Sequence, residues 1–114
     1  MPPTVEDRLL DIFEAIIEIE EVMLDISFDQ FAADRRRRLL IERLLEIVCE
    51  ASSAIPEDMK QDDSSIDWLK MIDFGNLLRR AYHTTQAEIV WDIVRNHLPP
   101  WKLFVERHFR APRE

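Results

Sequence analysis

An all-α fold is predicted for this chain by three features of its sequence. Only one of its 114 residues is glycine, apolar positions recur at four-three spacing over long stretches, and no alternating run bounded by turn residues suggests a strand. The pattern calls for an up-and-down helical bundle of four principal helices plus short ones, with residues 1–114 forming one domain without internal repeats.

The first helix is expected to begin near Val5. Thr4 stands as its N-cap, and Glu6 and Asp7 place negative charge at the positive end of the helix dipole. Val5, Leu9, Ile12, Ile16, Ile19, Met23 and Ile26 follow at strict four-three intervals, and Leu10, Phe13, Ile17 and Leu24 widen the stripe beyond what one neighbour would cover. Ser27 and Gln30 have capping-box spacing before a short helix carrying Phe28 and Phe31. A second long helix runs from Arg35 to about Ala54 on Leu40, Leu44, Ile47, Ala51 and Ala54, flanked by Ile41, Leu45 and Val48, and should pack antiparallel to the first.

Ile55-Pro56 ends that helix, and the polar stretch from Glu57 to Ser65 reads as loop. Ser65 is placed to cap a short helix through Ile72, with a separate helix starting at about Phe74. Thr84 and Thr85 offer caps for Ala87 to Asn96, and Pro99-Pro100 suits the first turn of a final helix ending near Phe109.

Composition narrows the class. Hydrophobic residues make up 46% of the chain and charged residues 33%, which excludes collagen-like, low-complexity and disordered types. No apolar run reaches the roughly 18 to 20 residues of a membrane span, and the acidic start lacks the basic and apolar regions of a signal peptide, so a cytoplasmic protein without membrane contact is expected. Cys49 is the sole cysteine and sits in an apolar helix, which suits a small buried hydrophobe; a redox or metal role is the alternative. His97 and His108 are not at ligand spacing with Cys49 or with any carboxylate cluster, so no metal site and no cofactor are expected.

The net charge of -8 argues by itself against a nucleic-acid partner, but its distribution does not. Nine carboxylates and one arginine lie before residue 30, whereas residues 31 to 114 carry fourteen of each sign, and residues 79 to 114 carry seven basic against four acidic. The acidic first helix is either a solvated face or a surface for a basic partner, and the basic end suits phosphates. Arg35 to Arg38 form a second cluster, read either as a solvated helix start or as a contact for RNA or a partner. Either way Asp34 is needed as a cap to offset positive charge against the helix dipole. Trp68, Trp91 and Trp101 fit core or interface anchors better than base-stacking platforms.

The chemistry concentrates in Asp73-Phe74-Gly75-Asn76-Leu77-Leu78-Arg79-Arg80-Ala81-Tyr82-His83. Two guanidiniums, an amide, a phenol and an imidazole in one helical segment suit a phosphodiester. Gly75, Arg79 and His83 share a face at four-residue spacing, Asn76 and Arg80 form the adjoining stripe, and Tyr82 lies one step round. From the residues alone Tyr82 reads equally as an amphipathic tyrosine at the edge of the core.

This segment resembles the active-site helix of HepT-like HEPN proteins, the toxin half of HEPN/minimal-nucleotidyltransferase toxin–antitoxin pairs, whose motif reads Gly-Asn-x-Leu-Arg-His-x-Tyr-His. Gly75, Asn76, Leu78, Arg79, Tyr82 and His83 match it, and Arg80 stands where the family has its catalytic histidine. The wider superfamily signature of an arginine, four to six residues and a histidine is not met, since three residues separate Arg79 from His83. The resemblance extends through Asp7 to Ile12, Ser27 to Asp34, Ile41 to Ala51, Trp68, Ala87 to Asp92 and Leu98-Pro99-Pro100.

The resemblance implies an HEPN-like bundle and a homodimer whose two motif helices line a shared cleft. It implies metal-independent endoribonuclease activity in a type VII-like toxin–antitoxin system, with Arg79, Arg80, Tyr82 and His83 as catalytic positions supported by Gly75 and Asn76. It further implies a cognate minimal nucleotidyltransferase antitoxin that silences the toxin by AMPylation of Tyr82. The alternative it leaves open is a catalytically inactive HEPN domain, with Arg80 in place of the histidine, that binds RNA or the nucleotidyltransferase without cleaving; His83 is the residue placed to compensate.

Overall fold

A computed structural model describes residues 3–63, 65–80 and 87–110, with the side chains of 109 and 110 excepted. The described residues form helices α1 (Val5–Val22), α2 (Phe28–Ala33), α3 (Arg35–Ser53), α4 (Glu57–Gln61), α5 (Trp68–Arg80), α6 (Ala87–Asp92) and α7 (Leu98–Arg110), and no strand occurs among them. The predicted all-α class and bundle architecture are observed.

Three of the expected caps are made. The Thr4 hydroxyl accepts from the Asp7 amide at 3.1 Å while the Asp7 carboxylate accepts from the Thr4 amide at 2.9 Å, and Ser27 and Gln30 form the same reciprocal pair at 3.1 and 2.9 Å. The Asp34 carboxylate accepts from the Arg37 amide at 3.0 Å and starts α3. These bonds satisfy amide groups that a helix start otherwise leaves without partners.

The bundle is held by side chains from its four long segments. Leu9, Ile12, Ile16 and Ile19 of α1 meet Ile41, Leu44, Leu45 and Val48 of α3, and Trp101, Phe104 and Val105 of α7 close on the other side of α1. α5 packs on the far flank of α3 and reaches α7 through aromatic pairs, Trp68 with Phe104 at 4.9 Å and Phe74 with Trp101 at 6.5 Å between ring centroids. α2 lies across the start of α3 and the side of α6, where Phe28 and Phe31 meet Trp91 at 5.5 and 5.7 Å. The three tryptophans are therefore packing anchors.

Four boundaries differ from expectation. α1 stops at Val22, although the stripe continues; a turn with Asp25 at φ 58 carries the chain so that Met23 and Ile26 remain buried outside the helix. Aspartate tolerates this left-handed conformation better than most residues. The stretch after Pro56 contains α4, whose first turn holds Glu57 and Asp58 at the favourable end of the dipole. α5 is one helix where a break was expected between Ile72 and Phe74, and it starts from Asp67, which accepts from the Lys70 amide at 3.1 Å, while Ser65 bonds back to Asp63. The fourth difference lies just before Pro99-Pro100, which stand in the first turn of α7 as expected, but no break separates that helix from α6. A π turn over Ile93–His97 joins α6 to α7, and the Leu98 amide donates to the Ile93 carbonyl. Proline has no amide to donate, and the wider turn absorbs the misfit of two of them. Thr84 and Thr85, the expected caps of α6, lie outside the described residues.

Candidate active site on α5

α5 buries one face and leaves another to solvent. Met71, Phe74, Gly75 and Leu78 point into the bundle, whereas Leu69, Ile72, Asp73, Leu77, Arg79 and Arg80 are exposed and Asn76 is half-buried. The Trp68 indole donates to the Lys60 carbonyl at 3.1 Å and fixes the start of the helix against α4. The predicted motif thus begins on a helix anchored at its first turn and by its aromatic flank.

Gly75 sets the depth of that packing. A Cβ at this position would stand 3.1 Å from the Cβ of Cys49 on α3, so even a methyl here would require α5 or α3 to give by a few tenths of an ångström. Cys49 is small as well as apolar, which completes the close contact. Its thiol is pushed up to about 12 by burial, against the Arg79 guanidinium, which lowers it, and with Glu46, which raises it. A thiol held in that state is packing material and not a nucleophile.

Arg79 leaves the helix on the Gly75 side, its Nη2 3.9 Å from where a Gly75 Cβ would be, and donates to the Asn76 Oδ1 at 2.8 Å. This matches the expected sharing of a face by Gly75 and Arg79 and gives Asn76 a function: it orients the Arg79 guanidinium. Arg80 is exposed on the adjoining stripe. Tyr82 and His83, the remaining predicted catalytic positions, lie outside the described residues. The site that can be described therefore consists of two exposed cations at the end of α5, one of them fixed.

The stripe of α3 that runs from beneath the motif toward the start of that helix does not stand out in the sequence. Arg38, Glu42, Glu46 and Cys49 occupy positions i, i+4, i+8 and i+11 of α3 and form the stripe that faces α5. Burial raises the Glu42 carboxyl above its ordinary range, opposed by Arg38 and reinforced by Glu46, and Glu46 also accepts from Arg43 at 3.1 Å. The four-residue spacing of these charges is the signal that could have found them. His97 packs edge-on to Phe74 at 5.0 Å, and His108 lies 4.3 Å from Phe104, so both are placed by the core.

Among the described residues no group of three or more histidine, cysteine or carboxylate side chains is arranged to hold a metal ion. Two shallow depressions, of about 470 Å³ beside Asp63, Leu103 and Arg107 and about 400 Å³ beside Glu14, Ile17 and Glu21, involve no motif residue. No described helix is long and apolar enough to cross a membrane.

Residues 12–108 match the family model described as Ribonuclease HepT-like. The chain is 36% identical over 97 residues to a Thermococcus cleftensis protein named "Probable ribonuclease HepT", covering 85% of this chain and 88% of that one. It is 33% identical over 91 residues to a candidate RNase of Methanocaldococcus jannaschii, covering 80% and 75% of the two chains. A second candidate RNase of that organism is 31% identical over 98 residues, covering 86% and 90%. No solved structure matches.

Proposed function

This chain belongs to the HepT-like ribonuclease family, and on that premise we propose that it is the toxin half of a toxin–antitoxin pair, a single-domain RNA-directed protein controlled by a cognate minimal nucleotidyltransferase. The observation that carries the proposal is the end of α5, where Asn76 fixes Arg79 and Arg80 stands exposed, with only Ala81 between it and Tyr82-His83 in the sequence. Metal-independent cleavage requires a base for the ribose 2′-hydroxyl, an acid for the leaving oxygen and cations for the charge that builds on phosphorus. Arg79 and Arg80 supply the last of these.

A homodimer with two α5 helices lining one cleft suits the apolar residues that α5 turns outward. Leu69 is 74% exposed and Ile72 44%, on the same helix as the cations. Sedimentation should find a species of twice the 13.6 kDa chain mass at micromolar concentration; a monomer alone would remove the shared cleft. Tyr82 is the proposed AMP acceptor, because an adenylate there adds bulk and negative charge beside the two arginines. Labelling with ATP and the nucleotidyltransferase should disappear in Tyr82→Phe, and persistence would move the acceptor elsewhere.

A second reading is favoured by Arg80 itself. A guanidinium is too weak an acid to give up its proton near neutral pH and has no base to offer, so a chain with Arg80 at the family's histidine position binds RNA and cleaves it weakly or not at all. Arg80→His should raise cleavage of a labelled RNA by on the order of 10² or more, the size of a general acid–base contribution. Robust cleavage by the Arg80 protein that His83→Ala abolishes would instead assign proton transfer to His83.

A further inference from the structure

Four arginines open α3, and the helix has no acidic residue in its first turn. Positive charge there opposes the helix dipole, and the compensation is sparse. Asp34 caps the helix and pairs with Arg37 at 3.5 Å. Arg35 and Arg36 are exposed and form no ion pair among the described residues, and the buried Nε of Arg38 has no hydrogen-bond partner among them. Arg37 thus answers Asp34 and Arg38 acts on Glu42, but the positive charge at the start of α3 exceeds what these two acids offset.

Its position gives it a use. Gly75 lies against Cys49, and after α5 the chain goes on to α6, which contacts α2 and α3; α2 immediately precedes α3, so α5 runs antiparallel to α3 and its last turn points toward the arginines. Arg38 is eleven residues before Cys49, about 16 Å along the axis, and Arg79 is four residues beyond Gly75, about 6 Å, at 1.5 Å per residue. About 10 Å separates the two levels, or three steps of about 3.4 Å along a stacked strand. Helical phase then divides the cluster. Arg35 and Arg38 lie on the stripe with Glu42 and Cys49 that faces α5, whereas Arg36 projects with Leu40 and Arg43 from the outer side.

We propose that Arg35 and Arg38 form a phosphate-binding subsite for RNA, continuing the strand held by Arg79 and Arg80 along the α3 side of the motif. The inference rests on the RNA-directed reading above. It assigns the cost at the start of α3 to substrate binding, and it separates two arginines from a third of equal charge one residue away.

Fluorescence anisotropy with a labelled single-stranded RNA of about 16 nucleotides, titrated across a salt series, tests it on the full chain. Arg35→Gln/Arg38→Gln should weaken binding about tenfold and flatten the slope of log affinity against log salt by about 1.4, or 0.7 for each phosphate that the variant leaves unneutralised. Arg36→Gln should weaken it no more than about twofold, the effect of general charge alone. If the double variant does not fold by circular dichroism, Arg35→Gln alone decides the matter through a slope change of about 0.7. Equal effects of the two variants would overturn the subsite. Loss of binding in Arg79→Gln/Arg80→Gln with none in Arg35→Gln/Arg38→Gln would reject the subsite while keeping the RNA-directed reading; no salt-dependent binding by the unaltered protein would reject both.

Discussion

The two flanks of α3 are built on different principles. Toward α1 it presents branched aliphatics, and Ile16 and Ile19 of α1 and Ile41, Leu45 and Val48 of α3 are completely enclosed. Toward α5 it presents Cys49 to Gly75, with Arg38, Glu42 and Glu46 along the same stripe. The first flank gains stability from apolar area, each large aliphatic contributing about 1.5 to 3 kcal/mol on burial. The second has less apolar area to bury, and its contact fixes how closely the motif helix approaches. Stability held on one side leaves the other available for positioning charges.

The largest effect expected from this division is on the α1 side. Ile16→Ala should cost about 3 to 4 kcal/mol by urea unfolding, through lost transfer energy and the cavity left behind, while the folded fraction keeps its RNA affinity. A loss of less than about 1 kcal/mol would mean that the two flanks share the stability more evenly. Gly75→Leu should cost less, about 1 to 3 kcal/mol, because it forces two helices apart at one point. Its effect on RNA binding should nevertheless exceed that of Ile16→Ala, since displacing α5 moves Arg79; the reverse ranking would break the comparison.

At the level of single caps, Asp34→Ala should cost about 1 kcal/mol or somewhat more, against about 0.5 to 1 for Thr4→Ala. Asp34 works against four arginines and Thr4 works with two acids, so equal losses would show that the charges at the start of α3 carry no penalty. The smallest effect concerns Cys49, and only in alkali. Its protonated thiol is favoured in the folded state, so its contribution is complete below pH 9 and declines as pH rises toward about 12. Cys49→Ala should remove that part of the alkaline loss, and the intact thiol should resist alkylation at pH 8 until the protein unfolds.

Much of the frame is legible from neighbouring residues alone. The Thr4, Ser27 and Asp34 caps and the stripes of α1 and α3 depend on spacings of three and four, which the sequence displays directly. The depth at which Gly75 meets Cys49 depends on residues 26 apart, and no local pattern carries it. The continuity of α5 is hidden because Ser65 and Asp67 are both adequate caps, and only the bond of Ser65 back to Asp63 removes one from the choice. In the site, Gly75, Asn76 and Arg79 stand as their spacing suggests; Glu42 and Glu46 escape notice because each looks like an ordinary surface acid, although both are half-buried in the fold.

The π turn at Ile93–His97 also governs rotational phase. Each residue of an α-helix advances the screw by about 100°, and a turn holding one extra residue resets the angle at which everything beyond it emerges. Ile93 and Leu98 are both buried although five residues apart, and that offset allows one continuous rod to serve α2 and α3 with its first half and α1 with its second. Excising a residue such as Asn96, exposed at the surface, would convert the π turn to an ordinary α turn with Ile93 and Leu98 at four-residue spacing, so Trp101, Phe104 and Val105 would keep their phase against α1; the same deletion between Leu98 and Trp101 would swing them by about 100°. In this chain the π turn is thus a store of one spare residue, and a single deletion between residues 93 and 98 should be tolerated better than one within α7.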